Sequence, residues 1–388
     1  MPSICLGANA VPGYVSGHPV VYAITPDGQP PIGDPEAETG ATAFEPQVLS
    51  SLSACEALSD NTGWAAAGTS VFCMPCDSAV SAWSSGVSDT IAVIFAGFTD
   101  GTVVGVMPED AAYPDYSSGT SDPNAYFLSA VDARVLDTAN VAGLYMYVEG
   151  LQVIVSGTAQ YIAPMRANSG ISVFEVNSCW LETRATHATG SWGMYANDFN
   201  VGPGVVHIWN SVISGASPGG YEGFWFRPLQ AAAEISLLHN LFYDWRAGTG
   251  KGVAYNDGIA GVTNCVVFNT DNDFSGMPAN TIFSCASDDN DGANTQNLNE
   301  NGGGEWDAAF EDYLSGDFRA KAGGLLENNG AAVAAWTTLM GDTDPLATDM
   351  AGNARSGVSP EIGPFEITAV PSAASVEEPT QWQMLIGF

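Results

Sequence analysis

The densest group of residues suited to ligand chemistry is the stretch GGYEGFWFRP at 219–228. Its three glycines predict a loop that leaves the surrounding regular structure and carries four aromatic rings within six residues. Aromatic faces stack on sugar rings, while charged neighbours hydrogen bond to hydroxyls. The stretch therefore predicts carbohydrate contact through Tyr221, Glu222, Phe224, Trp225 and Arg227. The alternative is that these rings are packing residues.

Catalysis on a sugar would require more than stacking. Hydrolysis needs two carboxylates roughly 5 to 10 Å apart, one of them with a raised pKa. Candidate acids are Glu175, Glu182, Asp198, Glu222, Glu234, Asp244 and Asp257. A lyase would instead use a cation as base, and the cations of the middle region are Arg166, Arg184, Arg227, Arg246 and Lys251. Because the chain has 43 acids and structural ion pairs explain the cations equally well, the sequence leaves enzymatic activity open.

Metal and redox chemistry have weaker signals. SDDNDGANTQN at 287–297 is rich in oxygen ligands, so Asp289 and Asp291 are candidate Ca²⁺ ligands, but the spacing fails the EF-hand pattern. The alternative is a solvated acidic turn, and no other cofactor is predicted. Cys73 and Cys76 have no second pair at zinc-binding spacing and no thioredoxin-like context. Most of the seven cysteines are therefore predicted to be buried thiols.

The charge balance restricts the partners. The chain carries 43 acids against 9 Lys and Arg, a net charge of −34, which disfavours nucleic acid and anionic membranes and fits a saline setting. No apolar run reaches the length of a membrane span. The first residues, MPSICLGANAVPGYVSGHPVVYA, lack the basic start and unbroken apolar run of an export signal. We therefore expect a soluble protein without that route of export.

The elements that hold these residues are predicted to be mostly strands, because Gly and Pro are abundant and charged residues make up only 13% of the chain. Residues 1–45 have no periodicity and predict an extended arm with one short strand at 18–24. From Pro46 an apolar spacing predicts a helix over 46–59, within a capping segment 46–63.

An internal repeat defines the middle of the chain. The segments ISVFEVNSCWLET, GVVHIWNSVISGA, AEISLLHNLFYDW and AGVTNCVVFNT share two apolar strands flanking an Asn. The units are too short for propeller blades, so residues 64–300 are predicted to be coils of a parallel β-helix. Asn177, Asn210, Asn240 and Asn264 are predicted to occupy equivalent turn positions. Trp180, Trp209 and Trp245 lie in or beside repeat strands and are expected to be buried.

The region after the repeat is predicted to close the solenoid. Residues 301–367 are expected to form C-terminal coils and a cap, with a helix at WDAAFEDYL (306–314). Residues 368–388 form a tail with apolar residues near its end.

Two segments resemble right-handed parallel β-helix (pectin-lyase-like) proteins of marine bacteria and phages. LSSLSACEALSD is similar to the helix that opens many such domains, and TDMAGNARSGVSPEIGPFEI (348–367) resembles the signature that seals the last coil. The matching residues of the signature are Asp349, Gly352, Arg355, Ile362, Gly363, Phe365 and Glu366, while Glu361 and Pro364 replace the usual Asp and Ala. The resemblance implies an all-β right-handed parallel β-helix with an N-terminal capping helix and an extended arm. It reports a fold and not a chemistry.

Two function classes follow from this resemblance and the composition. The first is a structural protein of a marine phage virion, a tail spike, fibre or capsid decoration that contacts host glycans. Its partners would be other virion proteins or copies of itself, through 1–45 and 370–388, and its location the virion surface. The alternative is an extracellular polysaccharide lyase, glycoside hydrolase or adhesin of a saline bacterium. The absence of an export signal and the scarcity of catalytic candidates favour the first.

Overall fold

A computed structural model describes most of the chain from residue 103 onward and shorter pieces before it. The described residues are 20–24, 26, 47–49, 51, 52, 54, 70–76, 78, 93–95, 103–108, 113–138, 144–168, 171–185, 190–197, 204–215, 221–227, 233–245, 250–289, 291–298, 304–334, 336, 338–339 and 344–367.

The molecule is an all-β parallel solenoid, as the repeat predicts. Each coil contributes one strand to each of three parallel sheets, and every strand pairs in parallel with its equivalent in the next coil. Among the described residues, six consecutive coils at 103–138, 144–167, 171–197, 205–227, 234–255 and 259–275 have all three strands. Parallel pairing at about 4.8 Å per coil places residues of the same position in columns along the axis.

The three sheets have the following strands in spatial order. Sheet 1 contains β2 (Gln47–Leu49), β1 (Val20–Ile24), β3 (Ser70–Pro75), β5 (Val103–Val106), β8 (Leu144–Glu149), β11 (Ile171–Asn177), β14 (Val205–Trp209), β17 (Glu234–Leu238), β20 (Ile259–Thr263) and β23 (Ile282–Phe283). Sheet 2 contains β6 (Phe127–Val131), β9 (Gln152–Gly157), β12 (Trp180–Ala185), β15 (Val212–Gly215), β18 (Leu241–Tyr243), β21 (Val266–Phe268), β24 (Ala286–Ser287) and β25 (Gln296–Asn297). Sheet 3 contains β4 (Val93–Phe95), β7 (Arg134–Thr138), β10 (Ala163–Ala167), β13 (Trp192–Asn197), β16 (Glu222–Arg227), β19 (Lys251–Tyr255) and β22 (Asn272–Ser275).

Apolar columns fill the space between the sheets. Phe174 and Val176 of sheet 1, Leu181 of sheet 2 and Met194 of sheet 3 are fully buried members of one core cluster. Trp245 also lies in this core, as expected, because a column of glycines in sheet 3 leaves room for its indole. A Cβ at Gly223 would lie 2.4 Å from the carbonyl oxygen of the next coil and 3.0 Å from the Trp245 Nε1.

The N-terminal end differs from the predicted free arm and helix. The short strand expected at 18–24 is β1, but it lies inside sheet 1, paired with β2 on one side and β3 on the other. The helix predicted from Pro46 cannot begin there, because Gln47–Leu49 is the edge strand β2. Ser51 accepts a hydrogen bond from the Ala54 N–H at 3.0 Å, the bond of a helix N-cap, and Leu52 and Ala54 are helical. The rest of 1–63 lies outside the described residues.

The predicted asparagine column is partly displaced. At the corner between sheets 1 and 2, the residues with left-handed backbone are Gly150, Ser178, Asn210, His239, Asn264 and Ser284. Asn210 and Asn264 hold this equivalent position, but Asn177 pairs with Trp209, one residue earlier, and Asn240 lies one residue later. The prediction that all four asparagines occupy equivalent turn positions is therefore wrong for Asn177 and Asn240. The corner requires a positive φ, which Ser178 and His239 adopt, and not a particular side chain.

The C-terminal region does not extend the stack or cover only its end. Helix α1 (Gly304–Ala309) ends five residues before the predicted boundary, because Phe310–Asp312 forms β26, which pairs antiparallel with β27 (Asp317–Ala320). Short 3₁₀ turns occupy Tyr313–Ser315 and, within the solenoid, Ala279–Thr281. The described part of 304–367, here called the strap, lies along the flank of the coils.

The strap buries apolar residues on the outer faces of sheets 1 and 2. Trp180 packs with strap residues such as Trp306 and Phe318 on sheet 2, and Trp209 packs with Trp336 on sheet 1. Both tryptophans are buried as expected, but beneath the strap and outside the solenoid core. The outward apolar stripe of these sheets explains why the strap runs lengthwise.

Four cysteines confirm the predicted buried thiols, and a fifth does not. Cys76, Cys179, Cys265 and Cys285 are free and buried, whereas Cys73 is disulfide-bonded. Among the described residues, no helix combines the length and apolar character required to cross a bilayer.

Candidate functional site

The predicted insertion at 219–228 is largely a strand. Residues Glu222–Arg227 form β16 of sheet 3, and Phe224 and Phe226 point inward and are fully buried in the core. Gly223 is a close-packing position of the strand and not a hinge for a loop. The binding prediction is therefore wrong for Phe224, because its ring is inaccessible. Tyr221, Trp225 and Arg227 keep some exposure, whereas Glu222 is buried.

The outward-facing residues of sheet 3 form a stack of rings across three coils. Its members, here called the aromatic platform, are Tyr161, Trp192, Tyr195 and Trp225. The Trp192 centroid lies 4.6 Å from Tyr195 and 5.2 Å from Trp225, with nearly parallel ring planes. Tyr161 stacks on Trp192 from the preceding coil at 5.7 Å. Strand register produces the stack, because Tyr195 pairs directly with Trp225.

Glu222 links the platform to a cation. Its carboxylate accepts a 2.7 Å hydrogen bond from Trp192 Nε1 and a 3.1 Å bond from Lys251 Nζ. Trp192, Glu222 and Lys251 hold the same position in consecutive coils, so register again creates the contact. Burial raises the pKa of Glu222, and the Lys251 ammonium and the Trp192 N–H act in the opposite direction.

Among the described residues, four Lys and Arg side chains lie around this face. The Arg227 guanidinium sits 5.7 Å from the Trp225 ring centre, and Lys251 Nζ sits 5.7 Å from that of Tyr221. Arg166 pairs with Asp137 at 2.6 Å, and Arg134 Nε donates to the Tyr161 carbonyl at 3.1 Å. In so acidic a chain, this is a local concentration of positive charge.

The other predicted catalytic acids are dispersed. Glu175 is buried beneath the strap, where it accepts the Leu339 N–H, and Glu182 pairs with Arg184. Asp244 is buried at a turn, where it accepts from Asn269 Nδ2 at 2.7 Å, and Glu234 and Asp257 are exposed elsewhere. Asp198 and Arg246 lie outside the described residues.

Asp137 and Glu222 share the outer face of sheet 3 but cannot act as a hydrolytic pair. They lie three strands apart, about 14 Å along the axis at the usual strand spacing, beyond the range for glycoside hydrolysis. Each is also engaged by a cation.

The predicted calcium ligands have other partners. Asp289 Oδ2 accepts the Asp273 N–H at 3.0 Å, and Asp273 Oδ2 accepts the N–H groups of Asp288 and Asp289. Burial and the neighbouring Asp288 raise the pKa of Asp273 well above its ordinary value. Asp291 is half-buried, and its N–H donates to Ser287 Oγ. The described ranges contain no group of three or more His, Cys, Asp or Glu side chains arranged to hold a metal ion, and these carboxylates are arranged to satisfy a turn.

Sequence reasoning missed Tyr161, Trp192 and Tyr195 as site residues, and it named Lys251 only as a candidate base of a lyase. The pattern X-Gly-apolar-X, at WGMY (192–195), EGFW (222–225) and KGVA (251–254), is a signal for Trp192, Tyr195 and Lys251, whereas Tyr161 lies outside it. These segments are equivalent strands of sheet 3, and their first and fourth residues face outward.

Comparison with known proteins gives one structural likeness. No family model matches the chain, and no curated protein matches it. The crystal structure of the pectate lyase Pel9A superposes with a TM-score of 0.31 and 14% sequence identity, covering 94% of this chain and 100% of that one. Because that similarity is loose, the solenoid fold rests on the strand pairings and the site on its own geometry.

Proposed function

We propose that this protein binds polysaccharide through the aromatic platform on sheet 3. The observation that carries the proposal is the four-ring stack, which spans three coils, keeps Tyr161 and Trp225 accessible, and has Arg227, Lys251 and Glu222 beside it. Flat ring faces pair with the C–H faces of sugars, and polar side chains near them reach hydroxyl groups.

Charge favours sugars over the other common ligands of stacked aromatics. Nucleic acid bases also stack on such rings, but their phosphates require a basic surface. The chain has a net charge of −34, and on this face Arg166 and Lys251 are already paired with Asp137 and Glu222, so little positive charge is left for phosphates. Glycan binding needs no such field, so sugars fit both the rings and the overall charge.

Binding is favoured over catalysis because the acids on this face are already engaged. Asp137 and Glu222 each form an ion pair, and their separation exceeds that of a hydrolytic pair.

The setting proposed is the surface of a virion, where such a protein would contact host glycans as a spike, fibre or decoration. Other virion proteins or further copies of this chain would be the partners, held through residues in 1–45 and 370–388. The alternative is an extracellular adhesin. The Cys73 disulfide is compatible with either location, since both are exposed to oxidising surroundings.

A binding assay with matched variants tests the proposal. The wild-type protein is titrated with dextran, alginate, polygalacturonate and chondroitin sulfate, which cover neutral, carboxylated and sulfated glycans. We expect at least one to bind, and Trp225→Ala to weaken that binding about five- to tenfold, the effect of one lost aromatic contact. Phe283→Ala is the control, because Phe283 is an aromatic residue with 43% exposure on sheet 1. Equal affinities of the two variants, or no binding by the wild type, would contradict the proposal.

A second candidate function is a polysaccharide lyase, favoured by one observation. Glu222 has a pKa raised by burial and contacts Lys251, so the platform holds an acid and a cation together. Lyase action forms an unsaturated sugar, detected by ultraviolet absorbance. We expect no such product from alginate, polygalacturonate or chondroitin sulfate. A product that disappears in Lys251→Met would replace binding with catalysis as the function.

A further inference from the structure

Tyr161 has a backbone conformation that its side chain does not favour. It lies at the corner between sheets 2 and 3 with φ +70°, in the left-handed region. The other described non-glycine residues with positive φ are all Asp, Asn, Ser or His. Short polar side chains tolerate this region, but a bulky aromatic residue is an outlier there.

The equivalent residues of the adjacent coils show what the fold itself requires. The preceding coil has Asp132, with φ +53°, whose carboxylate accepts the N–H groups of Thr158 and Ala159. The following coil has Gly190, with φ +91°, whose carbonyl accepts the Tyr161 N–H at 2.6 Å. An Asp or a Gly satisfies this corner without strain, so an aromatic ring is not needed for folding.

The ring of Tyr161 is placed where a ligand would meet the platform. Its side chain is 50% exposed, whereas Trp192 beneath it is 2% exposed and Tyr195 is 6% exposed. Arg134 fixes the strained residue from the preceding coil by donating to its carbonyl oxygen. Tyr161 is therefore the accessible outer ring of a stack whose inner rings are covered.

We infer that Tyr161 is a specificity-determining residue, which stacks on a sugar ring of the bound polysaccharide and offers its hydroxyl to that sugar. This inference rests on the proposed glycan binding. Strained backbone is retained where function requires a particular side-chain position, and the corner has no structural need for this side chain.

Two substitutions test the effect of the Tyr161 ring separately from that of its backbone conformation. Tyr161→Asn suits the left-handed conformation but cannot stack, and Tyr161→Phe keeps the ring without the hydroxyl. The probe is whichever of dextran, alginate, polygalacturonate and chondroitin sulfate the wild type binds most tightly. We expect Y161N to bind about five- to tenfold more weakly with a melting temperature equal to or above that of the wild type, and Y161F to recover most of the affinity.

Each other result overturns the inference. If Y161N binds as the wild type does while Trp225→Ala is impaired, glycan binding stands and Tyr161 has no part in it. If Y161N melts several degrees below the wild type, Tyr161 is a packing residue. If Y161F is as weak as Y161N, the ring does not stack. Absence of binding by the wild type removes the proposed function itself.

Discussion

At the scale of single residues, the most unusual chemistry outside the platform lies in the strap. Asp349 accepts hydrogen bonds from the N–H groups of Ala351, Asn353 and Glu366, and Arg355 pairs with Glu366 at 2.5 Å. These are residues of the signature that resembles the β-helix closing segment. Their network lies beside the solenoid flank, where Arg355 reaches Asn210 Oδ1 at 2.8 Å, and does not seal the last coil.

Glu361 gives this network a pH dependence. Burial and the adjacent Glu366 carboxylate raise its pKa to about 8, above the ordinary value of about 4.3 in an unfolded chain. Between these values the folded protein holds a proton that the unfolded chain releases, so the free energy of unfolding falls as pH rises.

We predict that Glu361→Gln flattens this slope, since an amide cannot ionise. Urea unfolding at pH 5, 6, 7 and 8 measures it. The variant should gain stability relative to the wild type towards pH 8. Glu311→Gln, at an exposed position, should leave the slope unchanged. If the free energy of unfolding of Glu361→Gln falls with pH as steeply as that of the wild type, other carboxyl groups, such as Asp273, cause the pH dependence.

At the scale of elements, the N-terminal strand is an integral part of the stack. β1 lies between β2 and β3, so it supplies backbone partners to both neighbours. A free arm would contribute nothing to folding, whereas a central strand satisfies buried N–H and C=O groups on each side.

We predict that deleting residues 1–45 lowers the melting temperature by several degrees, because β2 and β3 lose their common partner. Deleting residues 1–18 keeps β1 and should lower the melting temperature less. Thermal unfolding followed by circular dichroism compares the two truncations. Equal melting temperatures would mean that β1 adds no stability to the stack.

The repeat predicted the parallel solenoid but revealed only part of each coil. ISVFEVNSCWLET covers β11 and β12, the strands of sheets 1 and 2, whereas SWGMYAN, which contains β13, has alternating small and large residues that do not resemble them. The platform lies on sheet 3, whose strands the repeat does not reveal. Tyr161 and Trp192 are 31 positions apart and meet only because one coil brings them together, so only a correct coil alignment could predict the contact.

At the scale of the whole molecule, charge is the dominant property. A net charge of −34 on 388 residues destabilises the compact state through self-repulsion. We predict that raising NaCl from 0.1 M to 1 M increases the melting temperature, because the Debye length shortens from about 10 Å to about 3 Å. Isosmotic sucrose in low salt is the control for effects that do not depend on charge. A melting temperature that is constant or falls with NaCl would mean that the charges are spaced too widely to matter.

The strap changes how the stack holds together as a folding unit. In a simple solenoid each coil contacts only its neighbours, so the ends can fray independently. Here the strap joins distant coils: Phe318 donates to the Gly119 carbonyl, Leu339 to Glu175, and Gly363 to the Asn264 carbonyl. If one coil unfolds and releases the strap, the other coils therefore lose their strap contacts as well. This coupling favours a single cooperative unfolding transition. During synthesis, the outer apolar faces of the early coils stay uncovered until residues 304–367 have left the ribosome, so this protein completes its fold only after its C-terminal part has been made.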